Sequence, residues 1–400
     1  MEMTPRPKCC AIAALATAIV LLGLTLVPAG AYAATPGMSG AGHPAPPRVQ
    51  RRTIEFVHGI NGNFQQFQCS DLAGGFAAIL SQVCRNPQSF RDDSFAYYQD
   101  KGFVSSGQCN TPTPDTMTGL LFVDPNSVNP GICDSKGALA YSAAALDKRI
   151  ASLAGPVTVV ANSMGGAITR GWLSLANFNH DASLAHADSV IFLQGAQSGS
   201  WAAAAGEAAA ANPTLGPILT PISHLAGLDL NRPGVIDVTP LSLWYDSVNP
   251  SMASPGVPPA LAYYNFYSNL VINSQINLGF FKLNTGSFDA GDLVMLPGSD
   301  NPIEEPLLGG EKFLPGGAQA PNRHEFAMDR QVNINPVDLS IPPLLARDIT
   351  RILASPITHF QFPNMDGTVD VKGCGPGSPS VTAASEVFRI LQNPTRGCAS

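Results

Sequence analysis

The sequence predicts an α/β protein, a mostly parallel central sheet with helices on both faces. Three observations carry this expectation. Pro156-Val-Thr-Val-Val-Ala161 is a short apolar run rich in β-branched residues, which reads as a strand buried on both sides. Ala167-Ile-Thr-Arg-Gly-Trp-Leu-Ser-Leu-Ala176 follows almost at once, with its apolar residues at helical spacing. Further strand-like and helix-like runs alternate on either side, and that alternation is what a parallel sheet with crossover helices requires.

The chain begins with an export segment. Arg6 and Lys8 precede the uncharged apolar run Ala11–Val27, and Ala31-Tyr-Ala33 before Ala34 fits a small-x-small cleavage site. Residues 1–33 therefore read as a signal peptide cleaved near Ala33, and the protein as secreted. Removing them shifts the formal net charge from −7 to −8, because Glu2 leaves with Arg6 and Lys8. No basic patch remains, so nucleic acid is not an expected partner. About 365 residues are left, enough for one large α/β core with decorations. Residues 34–50, rich in Gly, Pro and Ala, read as a disordered leader, residues 51–356 as the folded domain and residues 357–400 as a C-terminal tail.

Within the domain, Arg51–His58 reads as a strand entering a Gly-containing loop, Gly59–Asn63. Gln65–Ser81 reads as a helix and Ser94–Tyr98 as a strand. Gly137–Leu153 reads as a helix facing the sheet through Leu139, Leu146, Ile150 and Leu153. Ala187–Gln194 is the next strand, and an Ala-rich helix, Ser200–Ala211, opens an apolar, proline-punctuated span to Pro259. Ala260–Tyr267 reads as a strand, Glu311–Pro315 as a short last strand and Leu344–Ala354 as the last helix. Six cysteines follow the leader, an even number in an exported chain, which suggests three disulfides. Sequence alone does not choose the pairing; the grouping favours Cys69–Cys84, Cys109–Cys133 and Cys374–Cys398, the last stapling the tail.

The chemistry concentrates at Ala161-Asn-Ser163-Met-Gly165-Gly166. A serine between a strand end and a helix start sits on a sharp turn, and small residues two before and two after it let strand and helix approach. Its hydroxyl is then raised at the carboxyl edge of the sheet, beside the N–H groups of the helix start.

This stretch resembles the nucleophile elbow of the α/β-hydrolase lipases and esterases, with Ala161 in place of the first glycine. Phe56-Val-His58-Gly59-Ile60-Asn-Gly62 is similar to the H-G-x-x-G loop of lipases. Ile191-Phe-Leu-Gln-Gly195-Ala-Gln-Ser-Gly199-Ser200 is similar to their T-P-H-x-G-S strand end, with the proline and histidine replaced. The resemblance spans about Thr53 to Ser355 and implies an α/β-hydrolase fold.

It also implies site residues. Ser163 would be the nucleophile, with the backbone N–H groups of Ile60 and Met164 holding the oxyanion. His58 would order its loop by hydrogen bonding. Gly291-Asp292-Leu293-Val294 resembles the segment that carries the acid, so Asp292 would orient the base, with Asp289 and Asp300 as rivals. The base belongs in the loop between last strand and last helix, which points to His324, with His359 next in line; Ser163, Asp292, His324 is the chain order of the fold. The Ser200–Pro259 span would form a cap over the nucleophile, lined by Trp201, Leu215, Ile218, Leu219, Ile222 and Leu225. The implied activity is hydrolysis of carboxylic esters, with a small-molecule or lipid ester as substrate, a transient contact with a lipid interface, and no metal or organic cofactor. Acyl transfer by the same triad, and a binding protein on a hydrolase scaffold, are the other classes to weigh.

Overall fold

The central strand is built from the apolar run noted above. In the computed structural model, residues 51–59, 67–69, 72, 75–95, 113–114, 121–122, 138–211, 237–240, 242, 244–245, 260–277, 282–295, 323–336, 342–373 and 380–394 are described. In chain order these form β1 (Arg52–Val57), α1 (Ala77–Cys84), β2 (Phe90–Phe95), β3 (Thr113–Pro114), β4 (Leu121–Phe122), α2 (Ala138–Ser152), β5 (Val157–Ser163), α3 (Met164–Asn179), α4 (Ser183–His186) and β6 (Ala187–Gly195). They continue with α5 (Trp201–Ala211), β7 (Ala262–Asn277), β8 (Lys282–Asp289), β9 (Arg323–Ile334), α6 (Pro342–Leu353), α7 (Phe362–Met365), β10 (Asp370–Gly373), β11 (Val381–Thr382) and α8 (Ala383–Gln392).

The main sheet runs β11-β10-β9-β7-β6-β5-β1-β2, with β8 also paired to β7. The pairs from β2 through β9 along that path are parallel; β10 and β11 are antiparallel additions at one edge, and β8 is antiparallel to β7. The mostly parallel sheet expected from the strand–helix alternation is therefore present.

Successive side chains of a strand point to opposite faces, and the core divides accordingly. Val159, Ala161, Val190, Phe192 and Tyr263 meet Leu139, Leu146, Ile150 and Trp172 from α2 and α3 on one face. Val160, Ile191, Leu193, Tyr264, Phe266 and Phe326 meet Ile79, Leu80, Val387 and Ile390 from α1 and α8 on the other. Helices thus cover both faces, as the two-sided burial of β5 demands.

Two long strands shape the carboxyl edge of the sheet. β7 is 16 residues long, and only Ala262–Phe266 pair with β6. The rest overshoots the sheet alongside β9, and β8 folds back on it from Asn277↔Lys282 to Val271↔Asp289. Leu270 N–H donates to Gly291 O at 3.1 Å, and Ala290 N–H to Leu270 O at 2.9 Å. The hairpin so returns the chain, just before Asp292, to the carboxyl edge.

Described residues after Pro356 join the main sheet and its core. β10 pairs with β9 in the main sheet, through Lys372↔Ala327 and Gly373↔Phe326. Phe388 of α8 packs edge-on against Phe90 at 5.8 Å, and Asp366 Oδ2 accepts from Ile79 N–H at 3.0 Å, capping α1. These residues complete one face of the core.

Cys69 and Cys84 are bonded, with Cα atoms 5.6 Å apart. Cys109, Cys133, Cys374 and Cys398 lie outside the described residues, as do Glu311–Pro315 and most of the expected cap. Of that cap, α5 and residues 237–240, 242 and 244–245 are described; Trp244 and Tyr245 are buried, Trp201 at the start of α5 is 42% exposed, and Leu215, Ile218, Leu219, Ile222 and Leu225 lie outside the described residues.

Candidate active site

Ser163 ends β5 with φ 53° and ψ −127°, a backbone conformation that side-chain-bearing residues avoid. Such a residue costs on the order of 1–3 kcal/mol and persists only where its surroundings enforce it. Here they do. A Cβ on Gly165 would come within 2.2 Å of Val57 O, and one on Gly166 within 2.6 Å of Gly195 Cα. These glycines let the first turn of α3 press against the ends of β1 and β6. Gly59 packs on the serine itself: a Cβ there would lie 2.5 Å from Ser163 Cβ. The hydroxyl is left at the carboxyl edge, directly before the N-terminus of α3.

His359 Nε2 lies 2.7 Å from Ser163 Oγ, and His359 Nδ1 lies 2.7 Å from Asp292 Oδ2. Asp292 is fully buried, and its other oxygen, Oδ1, accepts from Val294 N–H at 2.9 Å and Met295 N–H at 2.6 Å. Its backbone carbonyl accepts from His359 N–H at 2.9 Å. The network assigns the tautomer: an acceptor-only carboxylate calls for a proton on Nδ1, which leaves the Nε2 lone pair to receive the serine proton. This arrangement can abstract a proton from Ser163 and hold the resulting imidazolium against a buried negative charge.

Of the residues expected from sequence, Ser163 and Asp292 are brought together and His324 is not. His324 lies on β9, paired with Tyr264 and stacked on its ring at 4.8 Å. Through Tyr264↔Ile191 and Ile191↔Val160 it is level with a residue three positions before Ser163 and three strands away. That is about 10 Å along the strands and about 14 Å across them, beyond side-chain reach. Burial, then the Arg389 guanidinium, pull its pKa below the ordinary histidine value, with Glu386 opposing. It belongs to the packing between the sheet and α8. The place expected for His324 is taken by His359, the next histidine in line from sequence.

The other expectations divide as follows. Met164 opens α3 directly after Ser163, where an oxyanion donor is needed. Ile60 and Asp300 lie outside the described residues. Asp289 Oδ1 accepts from Gly291 N–H at 2.9 Å and so supports the turn ahead of Asp292. Buried His58 has Nδ1 2.8 Å from Gly59 O, within its own loop.

The sequence carries a signal for the placement of His324. His324, Phe326, Met328, Arg330, Val332 and Ile334 fall at every second position, and the alternating pattern Phe326, Met328, Val332, Ile334 marks a strand. Read so, His324 is inside the last parallel strand, and the next histidine after a helix is His359.

No protein-family model matches the chain, and no curated protein matches it. Among solved structures it is similar to the Bacillus licheniformis lipase BlEst2 in its mature form, at 15% identity and a TM-score of 0.32, covering 78% of this chain and 96% of that one. It is similar to RedJ, solved with a PEG molecule bound in the active site, at 10% identity and a TM-score of 0.32, over 81% and 97% of the two chains. It is also similar to the carboxylesterase CesB from Bacillus subtilis, at 11% identity and a TM-score of 0.29, over 86% and 98%.

Proposed function

We propose that this chain is a secreted serine hydrolase of the α/β-hydrolase type that cleaves carboxylic esters through an acyl-enzyme on Ser163. The observation that supports this most is the continuous relay from Ser163 Oγ through the His359 ring to Asp292, with 2.7 Å at each link. Ser163 Oγ attacks the ester carbonyl carbon while His359 Nε2 takes its proton. Asp292 holds the Nδ1 proton and stabilises the imidazolium. The oxyanion forms beside the start of α3, where the Met164 N–H is placed to donate, with the Ile60 N–H as its proposed partner. Collapse of the tetrahedral intermediate breaks the ester C–O bond, and His359 returns the proton to the leaving alcohol. Water, deprotonated by His359, then attacks the acyl-enzyme and frees the acid and Ser163.

Export follows the signal-peptide reading of residues 1–33, and the Cys69–Cys84 bond suits an oxidising compartment. The proposed substrates are small-molecule or lipid esters, with no resident metal or organic cofactor. The test is labelling with a fluorophosphonate together with turnover of a p-nitrophenyl ester series. The wild-type protein should be labelled on Ser163 and hydrolyse the esters; Ser163→Ala should lose both while keeping its fold. An unlabelled wild-type protein without turnover would make the chain a binding protein on this scaffold.

A further inference from the structure

Two buried polar residues outside the relay converge on the loop that carries its histidine. Gln194, fully buried near the end of β6, donates from Nε2 to Ser268 Oγ at 2.7 Å and to the Ile357 carbonyl at 2.7 Å. Ser268, fully buried on β7, donates from Oγ to the same carbonyl at 2.8 Å. Ile357 lies two residues before His359 in the turn that follows α6, and Thr358 N–H closes that turn on Ser355 O at 3.1 Å.

Gln194 is also tied to the nucleophile. Its neighbour Gly195 pairs with Ser163, and Ala196 N–H donates to Ser163 O at 2.8 Å. Gln194 has φ +50°, a left-handed conformation that a glutamine adopts only at a cost. Strain of this kind, of order 1–3 kcal/mol, is kept where the surroundings over-determine it. Here it falls at the β-bulge where Gln194 stands unpaired between Asn162↔Leu193 and Ser163↔Gly195, with its side chain directed across the edge to the histidine loop.

We infer that Gln194 and Ser268 are positioning residues: by gripping the Ile357 carbonyl they set the distance and angle between the His359 ring and the Ser163 hydroxyl. One side chain thereby references the base to the strand end that abuts the nucleophile. The inference rests on the proposed roles of Ser163 and His359. Asp292 fixes the ring's tautomer and holds the His359 N–H; the Gln194–Ser268 grip holds the turn two residues earlier, from which His359 projects. Both are needed, because a misplacement on the order of 1 Å costs roughly 100-fold in rate.

The experiment compares Gln194→Gly, Gln194→Met and Ser268→Ala by steady-state ester hydrolysis. Gln194→Gly keeps the backbone conformation without strain and removes the grip, whereas Gln194→Met retains the bulk and removes the donor. Both should lower kcat roughly 10- to 100-fold with KM changed less than about threefold, and Ser268→Ala should do so more weakly. In a His359→Ala background the Gln194 substitutions should add almost nothing, since a residue acting through the histidine has nothing left to position. A purely structural role predicts instead that their cost carries over in full, and that result overturns the inference, as does wild-type kcat in a folded Gln194→Gly. If His359→Ala itself keeps wild-type activity, the relay reading falls and this inference with it, so the two failures are told apart.

Discussion

At the scale of single residues, Ser163, His359 and Asp292 make their consequences measurable. Asp292 accepts from His359 Nδ1 and from two backbone N–H groups, so its oxygens are all committed. Asp292→Asn keeps the shape but presents an amide that can donate to Nδ1, which favours the wrong tautomer. It should lower kcat by roughly 10³–10⁴ with little change in KM. His359→Ala should cost at least as much, and the double variant should be little worse than the more damaged single one. His324→Ala should leave kcat/KM within a few fold, its effect confined to stability through the lost stack on Tyr264. Steady-state kinetics on all four variants checks this; a large kcat loss in His324→Ala with wild-type behaviour in His359→Ala would reverse the assignment.

At the scale of elements, the site depends on how closely α3 approaches β1. The pattern of small residues around Ser163 showed that a close approach was needed, but not which contact limits it. The contact is Gly165 against Val57 O, where a Cβ would sit at 2.2 Å. Gly165→Ala improves helix propensity by roughly 1 kcal/mol, yet it must push the helix off the strand end. The overlap with rigid backbone should win, giving a net loss of about 1–3 kcal/mol. Urea unfolding measures it, and a stabilised Gly165→Ala would show that the approach is looser than described. The same substitution should depress activity more than stability, because the strained Ser163 backbone moves with the helix start.

At the scale of the whole molecule, a buried carboxyl sets a pH limit. Glu55 on β1 is fully buried, its oxygens have no hydrogen-bond partner among the described residues, and Arg149 Nε stands 3.8 Å away. That guanidinium is engaged with Asp93 instead. Burial first, then Asp93, push Glu55 from 4.5 up to about 8, with Arg149 opposing. Folded Glu55 is therefore protonated at neutral pH, whereas in the unfolded chain it ionises near its ordinary value. A group raised on folding leaves stability intact below the unfolded value and subtracts from it as pH climbs toward the folded one. Stability should fall by on the order of a few kcal/mol between pH 5 and pH 8, and Glu55→Gln should remove most of that slope. Parallel urea midpoints for the two proteins at both pH values would refute this.

The part that reads directly from sequence is local. The β-branched run Val157–Val160 and the helical spacing after Ala167 define strand and helix through their own periodicity, and small residues around Ser163 define the turn between them. These are contacts between residues close in the chain, which the order of amino acids encodes without reference to the rest. Asp292 is singled out only through the resemblance of Gly291–Val294 to the segment that carries the acid in lipases. The histidine was not legible, because the choice between His324 and His359 depends on which segment becomes the last parallel strand. Arg323–Ile334 takes that place by pairing along twelve positions of β7, a ladder between segments some sixty residues apart. The tail is the same case: β10 and α8 join the core because β9 offers an edge and Phe90 and Tyr264 offer apolar surface, partners that lie far from them in sequence. Side-chain periodicity shows which face of an element is apolar; only tertiary packing decides which surface it covers, and here that decision puts His359, thirty-five residues beyond His324, against Ser163.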